Sequence, residues 1–121
     1  MSGRLFSDKH IWLLIDGNKA TIGITEFAQE KLGNIMFLNL PDIGETIEVG
    51  ERFGDIESIK TVSDLISPVK GKVIEINEKL IEEPELINGN AYESWFIEVE
   101  VDSVSENLMN GKLYLARKEE L

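Results

Sequence analysis

The residue whose position best suggests chemistry is Lys60, in the stretch "GDIESIKTVSDLISPVKG" at residues 54–71. It lies between two runs with the β-branched character of strands, which predicts a hairpin with Lys60 at its tip. Glu57 and Asp64 fall on the two predicted arms. A turn lysine is usually only a solvated charge. The position also suits a lysine that carries a covalent group, since attachment needs an accessible amine, a rigid support and neighbours that an attaching enzyme can read.

The other candidate residues give weaker signals. His10 is the only histidine, and a metal site normally needs several ligands. The acidic segment at residues 78–86 could supply paired carboxylates, but Pro84 interrupts it and a solvated loop is favoured. The sequence has no phosphate-binding glycine loop, nucleophile elbow or Ser/His/Asp pattern. We therefore predict no catalytic residue and no metal site, and the chain is not expected to be an enzyme by itself.

Composition narrows the class of partner. The chain has 121 residues, which predicts one domain over residues 1–121. Its 12 basic and 23 acidic residues give a net charge of −11, which argues against nucleic acid and anionic membrane surfaces and favours proteins with basic docking rims. Without cysteine, any redox sulfur must arrive on a cofactor. No secretory signal or membrane span is visible, so a cytoplasmic location is expected.

Frequent turn signals separate short β-type runs, which predicts a mostly β sandwich or barrel. Residues 11–24 are predicted to form a hairpin around Asp16-Gly17-Asn18, and further strands are predicted in "NIMFLNL", "TIEVGERFGDIESIK", "SDLISPVKGKVIEIN" and "SWFIEVEVD". A short helix should run from an N-cap at Thr25 to Gly33. One or two helices are expected after residue 102, with Ser103 or Ser105 as the first cap and Gly111 as an interruption. Four aromatic residues are predicted to be core residues, namely Trp12, Phe27, Phe37 and Trp95.

Longer segments resemble the glycine cleavage system H protein family. The resemblance covers about residues 10–97 and is carried by "ATIGIT", "AQEKLG", "ESIK", "SDLISPVKGKVIEIN", "PELIN" and "SWFIEV". It implies a lipoyl-domain-like barrel-sandwich hybrid of two small antiparallel sheets with short helices, including a C-terminal one. It also implies lipoic acid joined as an amide to Lys60, with Glu57 matching the acid beside the family's modification site. Biotin carriers set their lysine between methionines, whereas Ile59 and Thr61 flank it here.

The same resemblance implies a carrier function and a set of protein partners. Glycine decarboxylase (P protein) loads an aminomethyl group onto the lipoyl arm. The tetrahydrofolate-dependent aminomethyltransferase (T protein) removes it, and dihydrolipoamide dehydrogenase (L protein) reoxidises the dithiol. A lipoate ligase or lipoyl transferase would attach the arm. The family shelters the loaded arm in a surface cleft, where Asp64 matches a polar contact.

One position departs from the family pattern and leaves two pathways open. The family usually reads His-Glu-Trp where this chain reads His10-Ile11-Trp12, so an aliphatic group replaces a carboxylate that would pair with the loaded amine. One interpretation is a working H protein with a weaker cleft. The other is an H-like lipoate-binding protein that carries sulfur intermediates in a heterodisulfide-reductase-like sulfur oxidation pathway. Lipoylation is expected in both, and the intact "ESIKTVSD" argues against a third class, an unmodified interaction module.

Overall fold

The computed structural model describes residues 3–121, in which the strands form two antiparallel sheets. The larger sheet has the order β1-β2-β3-β9-β8-β5, and the smaller has the order β4-β6-β7. The strands are β1 Leu5–Phe6, β2 Ile11–Asp16, β3 Lys19–Ile24, β4 Ile35–Asn39, β5 Thr46–Ile47, β6 Arg52–Ser58, β7 Val62–Ile66, β8 Val69–Ile76 and β9 Ile97–Val104. The helices are α1 Glu26–Leu32, α2 Glu78–Glu82 and α3 Gly111–Arg117, with 3₁₀ turns at Pro84–Ile87, Ala91–Glu93 and Lys118–Glu120.

This architecture confirms the predicted mostly β fold of two antiparallel sheets with short helices, including one near the C-terminus. The first hairpin is confirmed to the residue, because Ile11 pairs with Ile24 and Asp16 pairs with Lys19. Gly17 allows the tight connection, with φ of 63° in the left-handed region that glycine adopts without strain. No helix within residues 3–121 has the length and apolar character needed to cross a bilayer.

The core lies between the two sheets. Strands β3, β8 and β9 of the larger sheet place Ile22, Val73 and Val99 in the core with no exposed surface, and the smaller sheet adds Leu38 and Ile56. Along β9 the buried residues Ile97 and Val99 alternate with the more exposed Glu98 and Glu100. Each fully buried aliphatic side chain contributes about 1.5–3 kcal/mol to stability. The smaller sheet, which holds the predicted tip lysine, is therefore fixed to the larger one by shared apolar packing.

Helix α1 begins and ends where the sequence predicted. The Thr25 hydroxyl oxygen accepts a hydrogen bond of 3.2 Å from the backbone N–H of Ala28, which caps the helix N-terminus. Gly33 ends the helix with φ of 79°, and its N–H donates to the carbonyl of Gln29 at 3.0 Å. Gly33 also lies beneath the side chain of Lys60.

The prediction that all four aromatic residues are core residues is wrong for Phe37. Trp12 is buried and Phe27 and Trp95 are half-buried, but Phe37 is 54% exposed. A register shift in β4 between Ile35 and Phe37 makes the inward positions Ile35 and Leu38, three residues apart. Phe37 consequently lies on the outer face of the smaller sheet.

The prediction of a solvated loop at residues 78–86 is also wrong, since this acidic segment forms α2 and then a 3₁₀ turn that begins at Pro84. Burial of Leu80 and Ile87 supplies the packing energy that stabilises these short helical turns.

At the C-terminal end, β9 continues to Val104 and neither predicted serine caps a helix. The helix cap is Asn110, whose side-chain oxygen accepts from the N–H of Leu113 at 2.8 Å. Gly111 is the first residue of α3 and does not interrupt a helix.

Gly54 is a point where two backbones approach closely. It is buried in β6 at a register shift, and a Cβ at this position would overlap the backbone carbonyl of Asn39. We expect Gly54→Ala to lower the free energy of unfolding by about 1–3 kcal/mol. Urea unfolding followed by circular dichroism measures this.

The matched control is Gly111→Ala, where the nearest atom to an added Cβ is Cε1 of Phe6 at an ordinary 3.5 Å. We expect this variant to keep the wild-type urea midpoint. Equal midpoints for the two variants would show that the contact at Gly54 is not tight.

Candidate functional site

Lys60 lies at the tip of the β6–β7 hairpin, as the sequence predicted. The arms pair Glu57 with Val62 and Asp55 with Asp64. Ser58 closes the turn, since its N–H donates to the carbonyl of Thr61 at 2.8 Å. The tip is therefore only residues 59–61, which restricts the position of the Lys60 backbone.

The side chain of Ser58 organises this turn from inside. Its hydroxyl oxygen accepts hydrogen bonds from the backbone N–H of Lys60 at 3.1 Å and of Thr61 at 3.3 Å. The residue is buried, so these bonds do not compete with water. Sequence reasoning missed Ser58, although serine is favoured before tight turns because its hydroxyl can accept from backbone N–H groups two residues later.

A second support comes from the connection between α1 and β4. The N–H of Ile59 donates to the carbonyl of Asn34 at 3.1 Å. The Lys60 stem lies over Gly33, where an added Cβ would be 3.1 Å from Cε and 3.6 Å from Nζ of the lysine. Any other residue at Gly33 would crowd the lysine and would also be strained by the positive φ.

The Lys60 side chain itself is exposed. The ion pairs found within residues 3–121 join Arg52 to Asp55 and to Asp64, the latter at 3.1 Å, and neither involves Lys60. Its immediate neighbour Ile59 is also exposed, as is Val62. The tip thus combines a fixed backbone with a lysine amine in solvent.

A cleft of about 660 Å³ opens beside the hairpin. Its polar lining includes Asp64, His10 and Ser63. Leu32 also lines the cleft, and the next residue, Gly33, lies against the Lys60 stem. The rest of the wall is mixed. Lys9, Lys31 and Glu119 add charged side chains, and an apolar part is formed by Ile11, Ile24, Phe27, Leu32, Ile56 and Leu65.

The structure separates the two acidic residues predicted to flank Lys60. Glu57 and Asp64 share the outer face of the hairpin, but Asp64 is two pairs further from the tip than the Glu57–Val62 pair. Asp64 reaches the cleft and is held by Arg52, whereas Glu57 is half-buried beside the tip and does not line the cleft. Arg52 is a further residue that sequence reasoning missed.

His10 forms part of the cleft wall through a hydrogen-bonded chain. Its Nδ1 lies 2.7 Å from the Tyr114 hydroxyl, which lies 2.8 Å from the hydroxyl of Thr25. Burial raises the pKa of Tyr114 to about 12, so its hydroxyl keeps its proton near neutral pH and can donate to the imidazole. Burial also lowers the pKa of His10, although a hydrogen bond to the backbone of Leu121 opposes the shift. His10 is therefore a neutral structural residue here, and no group of three or more His, Cys, Asp or Glu residues within 3–121 is arranged to hold a metal.

Comparison with known proteins decides the family. The family model described as "Glycine cleavage H-protein" matches residues 4–120. The chain belongs to this family. Proteins named "Glycine cleavage system H protein" from Bacillus cereus (strain AH187) and Bacillus anthracis (strain A0248) are each 47% identical to it over 112 residues, which is 90% of this chain and 88% of theirs.

A solved member of the H-protein family has the same architecture. The crystal structure of a glycine cleavage system H protein from Mycobacterium marinum matches with a TM-score of 0.91 and 34% sequence identity, and the match covers 98% of each chain. The H-protein family carries lipoic acid on a lysine. The residues of this chain fit that group, since an exposed amine lies at the tip of a hairpin that lines the cleft, and the apolar part of the cleft suits an alkyl chain ending in a dithiolane.

The lowered pKa of His10 predicts how the stability of this chain depends on pH. Because the folded state favours the neutral ring, it binds fewer protons than the unfolded chain below the ordinary histidine pKa of 6.5. The free energy of unfolding should fall as the pH drops below about 6.5 and level off below the lowered folded-state pKa. Urea unfolding at a series of pH values between about 5.5 and 7.5 measures this.

His10→Asn is the control for this titration. Asparagine tolerates the positive φ of 65° at this position and does not titrate. Since His10 is the only histidine, the variant should show a flatter pH dependence of stability in this window. The same slope in both proteins would exclude His10 as its source.

Proposed function

We propose that this chain is the lipoyl carrier of glycine cleavage with its arm attached through an amide to Nζ of Lys60. The observation that supports the attachment site is the exposed amine of Lys60 on a tip whose backbone is fixed by Ser58 and Asn34. Attachment needs an amine that an enzyme can reach, and a rigid tip lets that enzyme meet it in one geometry. As an H-protein family member, the chain is a carrier subunit and not an enzyme.

The apolar part of the cleft is the second support for the carrier role. When attached, the lipoyl group would supply the redox-active dithiolane sulfurs that carry the aminomethyl group. An extended lipoyl-lysine arm reaches roughly 14 Å at about 1.2 Å per bond. The half-buried Phe27 and Ala28 of the cleft wall would pack against the aliphatic part of the arm, since burial of apolar surface is favourable.

We assign different roles to the two acidic residues near Lys60. Glu57 lies on the outer face beside the tip, where the attaching enzyme, a lipoate ligase or lipoyl transferase, can read it. Asp64 lies at the cleft, where its carboxylate would break its ion pair with the guanidinium of Arg52 and form one with the carried amine. That exchange is feasible because exposed ion pairs are worth about 1 kcal/mol or less.

Ile11 forms an apolar part of the cleft wall and is 1% exposed. Because position 11 is aliphatic, Asp64 is the carboxylate that the strands contribute to the cleft. The carried amine would therefore be paired less strongly than with a second acidic residue on a strand. The family assignment nevertheless favours glycine cleavage over the sulfur oxidation pathway that Ile11 left open.

The partners follow from the family. They are glycine decarboxylase, aminomethyltransferase, dihydrolipoamide dehydrogenase and the attaching enzyme. The net charge of −11 would speed encounters with partners that have basic docking rims. We further propose that residues 1–121 act as one carrier domain, and the cytoplasmic location predicted from the sequence remains a prediction.

Intact-mass analysis tests the attachment site. The unmodified chain, incubated with a lipoate ligase, lipoate and ATP, should gain one lipoyl group, and Lys60→Arg should gain none because the guanidinium is not acylated. Lys70→Arg is the matched control, since Lys70 is an exposed lysine on β8 away from the tip, and it should be modified like the wild type. A lipoyl mass on Lys60→Arg would defeat the assignment.

Glycine–bicarbonate exchange tests the pathway. With glycine decarboxylase, the lipoylated chain should support exchange of label between bicarbonate and glycine, whereas Lys60→Arg should reduce it to the background of the decarboxylase alone. Lys70→Arg should retain the wild-type rate. Background exchange with a fully lipoylated wild-type chain would contradict a role in glycine cleavage.

A further inference from the structure

Asn88 lies outside the hairpin but is bonded to the segment that supports it. It follows the 3₁₀ turn Pro84–Ile87, whose last residue, Ile87, is completely buried. Burial of Ile87 fixes the backbone at this point, so the half-buried side chain of Asn88 projects from a stable position. It is directed at the connection between α1 and β4.

The side-chain amide of Asn88 binds this connection from both sides of Asn34. Its Nδ2 donates to the carbonyl of Gly33 at 2.8 Å, and its Oδ1 accepts from the N–H of Ile35 at 3.0 Å. Nδ2 also donates to Oε1 of Gln29 at 2.9 Å. Both amide hydrogens and the amide oxygen of Asn88 therefore take part in hydrogen bonds.

The residue held between these bonds, Asn34, supports the lysine turn. Its carbonyl accepts the N–H of Ile59 at 3.1 Å, and the preceding Gly33 lies beneath the Lys60 stem. We propose that Asn88 is a positioning residue for Lys60, which acts through the Asn34 peptide and the Gly33 surface to hold the tip beside the cleft. This inference rests on the proposed function of Lys60 as the attachment site.

The contacts explain why asparagine is needed. An aspartate has nearly the same shape but cannot donate, so its oxygens would face the carbonyl of Gly33 and Oε1 of Gln29 without a hydrogen. Two acceptors that face each other without a hydrogen between them, partly shielded from water, are unfavourable. The turn would keep its internal bonds to Ser58 but lose its fixed relation to α1 and the cleft.

Asn88→Asp tests this through hydrogen exchange of the Ile59 amide, measured by NMR on the unmodified chain. Loss of the clamp should speed exchange at Ile59 by roughly tenfold, the effect of one weakened hydrogen bond. The reference is the amide of Phe96, which donates to Ile22 at 2.7 Å within the core and should exchange as in the wild type. Equal acceleration at both amides would indicate a general loss of stability and overturn the proposal.

Asn90→Asp is the matched control, because it makes the same chemical change two residues away at an exposed position that has no side-chain cap bond. It should leave Ile59 exchange unchanged. If Asn88→Asp does not fold, Asn88→Ala removes the same bonds without adding charge and should give the same pattern. Wild-type exchange at Ile59 in a folded Asn88 variant would also overturn the proposal.

Lipoylation kinetics provide the functional readout. We expect kcat/KM of a lipoate ligase to fall roughly tenfold for Asn88→Asp, because a less constrained lysine meets the reactive geometry less often. Asn90→Asp should react like the wild type. A normal rate for Asn88→Asp would overturn the positioning role. If instead Lys60→Arg is lipoylated, the proposed attachment site fails, while the exchange comparison still reports on the clamp.

Discussion

The site depends on one constraint, which is that the backbone at residues 59–61 is held while the Lys60 side chain is left in solvent. The buried hydroxyl of Ser58 holds the turn from within, and the carbonyl of Asn34 holds it from the neighbouring connection. These bonds involve backbone groups and leave the lysine amine unused. A carrier needs both properties, since a fixed root defines the space that a flexible arm can search.

The same arrangement couples the tip to the cleft. Gly33 ends α1, supports the lysine stem and adjoins Leu32, which lines the cleft. Position 33 must therefore meet two demands, a positive φ to end the helix and an absence of Cβ beneath the lysine. Glycine is the residue that satisfies both. The cleft residue Leu32 is thus one residue along the chain from the support of the lysine stem, which places the cleft near the root of an arm that leaves the tip.

Electrostatics distinguish this chain from the family pattern described above. Ile11 removes a carboxylate from the cleft, and Arg52 engages Asp64, the carboxylate that remains on the strand side. Lys31 and Lys118 add positive charge near the cleft, with their Nζ atoms 5.3 and 5.4 Å from the centre of the Phe27 ring. Among the lining residues, Lys9 and Lys31 offset the charges of Asp64 and Glu119, so the strongly acidic character of the chain as a whole does not extend to this cleft.

Local patterns in the sequence determined the first hairpin, helix α1, the tip position of Lys60 and the family. These features depend on turn residues, caps and alternation, which act over a few neighbouring residues. Only the tertiary structure decided that Phe37 faces solvent, since a register shift in β4 exchanges the two faces of the strand. It also decided that Ser58, Gly33 and Asn88 support the lysine, because their bonds depend on which segments the core brings together. Packing energy fixes such contacts across long separations along the chain, and no spacing in the sequence records them.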